Sequence, residues 1–222
     1  MLLPATLQFL KGLKKYNEKS WFDEHRSAYE AAREDYVGFL QDLIRLLSKK
    51  DPSITDIRAK DCLFRINRDV RFSKDKSPYK TNFGAYISKG GRKSKYAGYY
   101  FHLEPGGSFC GVGLWMPMPP ELARVRQEID YCHDEFTRIL NSASYRKYFD
   151  NLYREKDASL SRVPKGYDPQ NPAAEYLKLK SFFSMHKLKD AELLSPTLVA
   201  ETARMLLAAK PLVDFLNRPL ED

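Results

Sequence analysis

Apolar residues recur at helical spacing through roughly the first fifty positions. Leu7, Leu10 and Leu13 share a face behind Pro4, a residue suited to a first helical turn. Asn17 is placed to cap a second, short helix bearing Trp21 and Phe22. Tyr29, Ala32, Tyr36, Leu40, Leu43, Ile44 and Leu47 then form one stripe of a longer helix. Asp51-Pro52 ends it, because the residue before a proline is pushed out of helical geometry. The period next changes to two. Residues 62–66 alternate around Arg65 and predict a strand, followed by strands over 83–88, 96–103 and 109–115. Gly90-Gly91 and Pro105-Gly106-Gly107 supply short turns, which join antiparallel neighbours. Pro119-Pro120 opens a helix whose apolar face runs from Leu122 to Leu140, and 144–172 is polar and irregular. Residues 173–179 read as a short helix and 182–188 as a last strand. Ser195-Pro196 starts a terminal helix that Pro211 kinks or restarts.

Helices, then a meander, then helices is the order of an α+β fold: a mainly antiparallel sheet flanked by N-terminal and C-terminal helices. The expectation is one domain over 1–222. The stretch around Asp157 is the single candidate boundary, read as a long loop returning to the sheet. A hydrophobic share of 43% supports a sizeable core, and 14 Tyr with 13 Phe argue against disorder. Met1-Leu2-Leu3-Pro4 has no basic stretch before it and is soon followed by Lys11, Lys14 and Lys15, the reverse of a secretory signal. No apolar run reaches the roughly 20 residues that span a bilayer. Cys62, Cys110 and Cys132 lie far apart, which argues against a disulfide scaffold or structural zinc. The expected setting is the cytoplasm, without a membrane partner.

Charge then singles out one segment. The chain carries +8. Between Arg58 and Lys95 stand twelve basic and three acidic residues, so that window carries +9 and the remainder nets −1. A local basic field faces an anion more often than a neutral surface.

Within this window, Phe64 to Lys80 reads Phe-Arg-Ile-Asn-Arg-Asp-Val-Arg-Phe-Ser-Lys-Asp-Lys-Ser-Pro-Tyr-Lys. Gly98-Tyr99-Tyr100 with Gly111-x-Gly113-x-Trp115 follows, and then Pro164-Lys165-Gly166-Tyr167 with Pro172-Ala173-Ala174-Glu175-Tyr176-Leu177. On these motifs the chain resembles the conserved hypothetical domain-of-unknown-function family 2461 over nearly its whole length. The resemblance implies a single-domain α+β fold and carries no activity with it. In the family's pattern a His often precedes Pro-Ala-Ala; here Asn171 stands there, so no catalytic role passes to that position.

The segment from Asn67 to Asn82 is too polar for a strand and too long for a tight turn. Arginine forks match phosphate oxygens and hydroxyls add neutral donors. The leading expectation is an anionic, phosphate-containing ligand held by Arg65, Arg68, Arg71, Lys76, Tyr79 and Lys80. In the strand over 96–103, Ala97, Tyr99, Phe101 and Leu103 share the core face, leaving Tyr96, Gly98, Tyr100 and His102 on the other. Arg65, Tyr100 and His102 would then floor a site beneath the loop. His102 or Asp69 is the candidate proton handler if the protein is an enzyme. Two rivals stand beside this reading. A nucleic-acid-binding module would use Phe72, Tyr79 and Tyr86 as stacking surfaces. A structural or interaction protein would merely pair the loop cations with Asp69 and Asp75. His102 and Glu104 share a face, but two ligands make no metal site; His133-Asp134-Glu135 point apart on a helix. The sequence names no metal or cofactor, and it leaves the oligomeric state open.

Overall fold

Four strands pair in the order in which they leave the chain. In the computed structural model, which describes residues 1–154 and 158–221, β1 (Phe83–Ser88), β2 (Gly98–Leu103), β3 (Phe109–Leu114) and β4 (Phe182–Lys187) form one antiparallel sheet. Gly90 and Gly91 sit at φ 76° and 83°, a left-handed turn that glycine enters without cost. Alternation along β2 is as the sequence predicts: Tyr99, Phe101 and Leu103 are fully buried, whereas Tyr100 and His102 are partly exposed on the opposite face.

Helices α1 (Pro4–Lys15), α2 (Lys19–Glu24) and α3 (Arg26–Leu47) precede the sheet, and α3 packs on its core face. The Phe39 and Phe101 rings stand 4.5 Å apart, and the Tyr36 hydroxyl donates to the Phe101 carbonyl at 2.8 Å. Burying Phe101 alone is worth roughly 1.5–3 kcal/mol. α3 ends at Leu47, before Asp51-Pro52; Asp51 instead heads the short 3-10 turn Pro52–Ile54 and accepts the buried Tyr99 hydroxyl at 2.8 Å, tying the segment after the helix to the sheet. After β3 come α5 (Pro119–Tyr131), α6 (His133–Leu140) and α7 (Ala143–Arg146), then α8 (Ala174–Leu177) before β4. α9 (Asp190–Leu193), α10 (Leu198–Ala208) and α11 (Lys210–Asn217) close the chain, with Pro211 restarting α11 just after Ala209 leaves helical geometry. Cys110 on β3 meets Met205 of α10 at 4.0 Å. One contiguous cluster of buried side chains runs from Leu2 to Leu220. Asp157, where the sequence allows a boundary, lies outside the described residues.

Three local expectations are corrected. Residues 62–66 form no strand: Ala59–Cys62 is a helical turn, α4, closed by the Arg58–Asp61 pair at 2.7 Å, and only Leu63 makes a single bridge to Ala85. Cys62, Leu63 and Ile66 are buried together, a spacing that a short apolar run shares between turn and strand. Asn17 caps no helix; its amide pairs with both backbone groups of Tyr79, at 2.9 and 3.0 Å. The helix over 119–140 breaks at Cys132, which re-aims α6 so that Phe136 meets Tyr176 edge-on. Among the described residues no helix is long and apolar enough to cross a membrane.

Candidate functional site

Among the described residues no helix packs across the centre of the sheet face turned away from α3, and a cleft of about 850 Å³ opens there. Glycines make its floor flat. A Cβ on Gly84 would meet the Tyr100 hydroxyl at 2.6 Å, and one on Gly111 would collide with the Phe183 ring. The two aromatic side chains therefore lie along the sheet rather than standing off it. Tyr86, Phe109 and Met185 complete the floor. The walls are Phe64 and Lys80 on one side, the β1–β2 hairpin from Arg92 to Tyr96, and Trp115 to Met118 with Glu121 at the start of α5. Trp115, Met116 and Met118 are exposed at the mouth. Met116 holds φ 44°, uncommon for a side chain of this size, and its N–H donates to Ser181 Oγ at 2.9 Å.

A polar line runs along β2, where residues two apart share a face. Tyr100 Oη lies 3.1 Å from His102 Nδ1, and His102 Nε2 lies 3.3 Å from Glu104 Oε2. Glu104 Oε1 accepts from Lys14 Nζ and Thr81 Oγ1, both at 3.1 Å. Burial pushes the Glu104 carboxyl up, but hydrogen bonds from Lys14, His102 and Thr81 outweigh it and leave its pKa lowered. Burial depresses the His102 pKa despite Glu104 beside it, and burial pushes Tyr100 up to about 12. An ionised Glu104 only accepts, so Nε2 of a neutral His102 carries the proton. Nδ1 is then the acceptor and Tyr100 the donor. Phe109 stacks on the imidazole at 4.7 Å and 13°, fixing its plane.

The rim is cationic. Lys80 Nζ and the Arg92 guanidinium lie 5.6 and 5.4 Å from the Phe64 ring centre. Burial, then Arg65 and Arg92, lower the Lys80 pKa; its ammonium donates to the Arg65 carbonyl at 2.9 Å. Arg92 Nε is buried without a hydrogen-bond partner, as is Glu121 Oε2 across the cleft walls. Buried polar atoms are nearly always paired; among the described residues Arg126 Nε and Thr202 Oγ1 are also without a partner, and Arg92 and Glu121 stand apart from them by lining the cleft.

Of the residues singled out in the sequence, Lys80, Tyr86, Tyr100 and His102 meet in this cleft. The others of the basic loop stand elsewhere. Arg68 reaches Asp75 at 2.5 Å and the Ser77 carbonyl at 3.0 Å; Arg71 reaches Asp69 at 2.7 Å; Lys76 donates to the Val70 carbonyl at 3.0 Å. Hydrogen bonds from the Ser77 hydroxyl and N–H, then Arg68, hold the Asp75 carboxyl down at about 2, and Arg71 lowers Asp69. Arg65 is exposed, and Phe64 rather than Arg65 faces the cleft. Tyr79 is buried, stacked on Phe22 at 4.1 Å. Phe72 at the loop tip is 95% exposed. Sequence reasoning missed Arg92, Glu121 and Trp115 as cleft residues. The available signal was Trp115-Met116-Pro117-Met118, large side chains outside any helical or strand period. Among the described residues no group of three metal-ligating side chains converges. Burial pushes the Cys62 and Cys110 thiols up to about 12, away from nucleophilic use.

These features define an α+β protein whose antiparallel sheet is packed by helices on one face and opens on the other into an aromatic, cation-rimmed cleft. The chain belongs to the conserved hypothetical protein family DUF2461, whose family model matches residues 5–215 and so takes in every element of the cleft. No curated protein and no solved structure matches the chain.

Proposed function

We propose that this protein binds a small molecule with an oxyanion head, phosphate foremost, and a flat apolar body, and that the cleft on the open sheet face is the site. The observation that carries the reading is Arg92: a guanidinium with a buried, unpartnered Nε at the edge of an aromatic floor. Lys80 and Arg92 take the anion, while Phe64, Tyr100 and Phe183 take the flat body. Arg68 and Arg71, engaged with Asp75 and Asp69, brace the loop that delivers Lys80 rather than touching the ligand.

Phenyl phosphate is the test compound, with inorganic phosphate at equal ionic strength as the control. At a concentration a hundred times its Kd, a ligand stabilises the native state by about 2.7 kcal/mol. For a chain of this size that raises the Tm by about 5–10 °C. Arg92→Ala should weaken phenyl phosphate about tenfold to a hundredfold, the worth of a charge-assisted hydrogen bond. Arg68→Ala should leave the affinity within about threefold, since that residue does not contact the ligand. The reading fails if phenyl phosphate stabilises no more than phosphate does, or if Arg68→Ala abolishes binding while Arg92→Ala does not.

A further inference from the structure

The cleft holds more chemistry than binding requires. Tyr100 and His102 on β2 and Glu104, the residue just after the strand, follow one another at every second position, and each is hydrogen-bonded to the next. An aromatic floor needs no such line. The proton of Tyr100 points at His102, so the phenolic oxygen offers its lone pairs to the cleft. Behind it the chain ends on Glu104, kept anionic by Lys14 and Thr81.

We propose that Tyr100 is a general base in this cleft, acting on a weakly acidic hydroxyl, phenolic or enolic, of an anionic substrate and discharging its own proton onto His102. The proposal rests on the cleft being the ligand site. The substrate O–H bond breaks and its proton joins Tyr100 Oη. In the same step the original Oη–H bond breaks and that proton joins His102 Nδ1. The electron pair of the broken bond stays on the substrate oxygen, an oxyanion facing Lys80 and Arg92. Tyr100 ends as a neutral phenol, and His102 as an imidazolium against the Glu104 carboxylate.

The surroundings fit this transfer. Facing His102 are Tyr100 from its own strand, Glu104 just after that strand, Phe109 from β3, and the Asn82 amide at 3.4 Å. Glu104 in turn meets Thr81 and Lys14. The nearest charge to the imidazole is therefore the Glu104 carboxylate, which favours a positive ring. His102 is neutral at rest because of burial, and so is free to accept. Tyr100 touches the substrate and is the catalytic residue; His102 and Glu104 act through it. Gly84 is part of the device, because any side chain there would displace the Tyr100 hydroxyl.

The experiment uses 4-nitrophenol, whose anion absorbs separately from the neutral phenol. It is titrated into the full chain at a pH below its own pKa. Calorimetry in two buffers of different ionisation enthalpy counts protons released. The expected result is bound phenolate with no net proton release, because His102 keeps the proton. Tyr100→Phe keeps the ring and should either lose the phenolate band or release one proton per phenolate bound. Gly84→Ala, which moves the hydroxyl without removing it, should do the same. Wild-type binding as the neutral phenol, or as phenolate with one proton released, overturns the relay and leaves the binding cleft standing. No binding of the phenol while phenyl phosphate still binds overturns the relay and leaves the binding cleft standing; no binding of either overturns the reading of the cleft, and the relay falls with it.

Discussion

Tyr99 and Tyr100 are neighbours on β2, yet their hydroxyls face different worlds, and removing one oxygen from each should separate stability from ligand chemistry. Tyr99 is fully buried and donates to Asp51 at 2.8 Å, an acid only 4% exposed whose other oxygen is taken by Ser53. A hydrogen bond to a charged group contributes about 1.5–3 kcal/mol, and its loss leaves one carboxylate oxygen of Asp51 buried and unpaired. With about 2–4 °C of Tm per kcal/mol for a chain of this length, Tyr99→Phe should lower the Tm by about 3–12 °C. Tyr100 donates to a neutral imidazole at 3.1 Å beside an open cleft, where a bond contributes about 0.5–1.5 kcal/mol, so Tyr100→Phe should cost about 1–6 °C. The assay is paired thermal and urea melts of both variants, with phenyl phosphate affinity measured alongside. Tyr99→Phe should keep wild-type affinity despite the larger loss of stability. Equal losses, or a larger one at Tyr100, would refute the assignment of one face of β2 to the core and the other to the ligand.

Two further outcomes are expected. Burial holds the His102 pKa below its usual 6.5, so unfolding takes up a proton; the histidine's contribution is complete above 6.5 and is lost as pH falls from there toward the folded value. His102→Gln should flatten the pH dependence of the urea midpoint across that window, and an unchanged slope would mean that folding does not shift the ring's pKa. For nucleic acid, the small-ligand reading expects no detectable DNA or RNA binding even at low salt. Affinity that falls steeply between two ionic strengths and drops further in Phe72→Ala would move the function from the cleft to the exposed loop tip, where Arg71 lies 5.8 Å from the Phe72 ring.

Much of this architecture is legible in period alone. Strict alternation from Ala97 to Leu103 separates Tyr99 and Phe101 from Tyr100 and His102, and the glycine-rich turns fix β1, β2 and β3 as a meander. The same pattern places His102 and Glu104 on one face, but it does not show the hydrogen bonds that join them to Tyr100. What stays hidden depends on contacts between distant positions. Arg68 finds Asp75 seven residues away because the backbone bridges Asn67 to Tyr79, and no propensity encodes that fold-back. Basic density does not separate the residues of this window: Lys80 reaches the cleft, while Arg71 turns to Asp69. Arg92 reads as a hairpin residue, and only the assembled sheet shows its Nε without a partner. Residues 62–66 are misread because a five-residue apolar run suits a turn as well as a strand.

The glycines beneath Tyr100 and Phe183 have a bearing on how this chain tolerates change. Because β2 sends its odd positions into the core and its even positions into the cleft, the residues that line the cleft are not the ones that keep the chain folded. Substitutions at 84 and 111 alter the depth and outline of the cavity by moving a single ring. Relatives could thus exchange one ligand for another through small steps, each leaving the packing of Phe39 against Phe101 untouched. A designer would begin at the same two positions, resizing the floor before altering any charge.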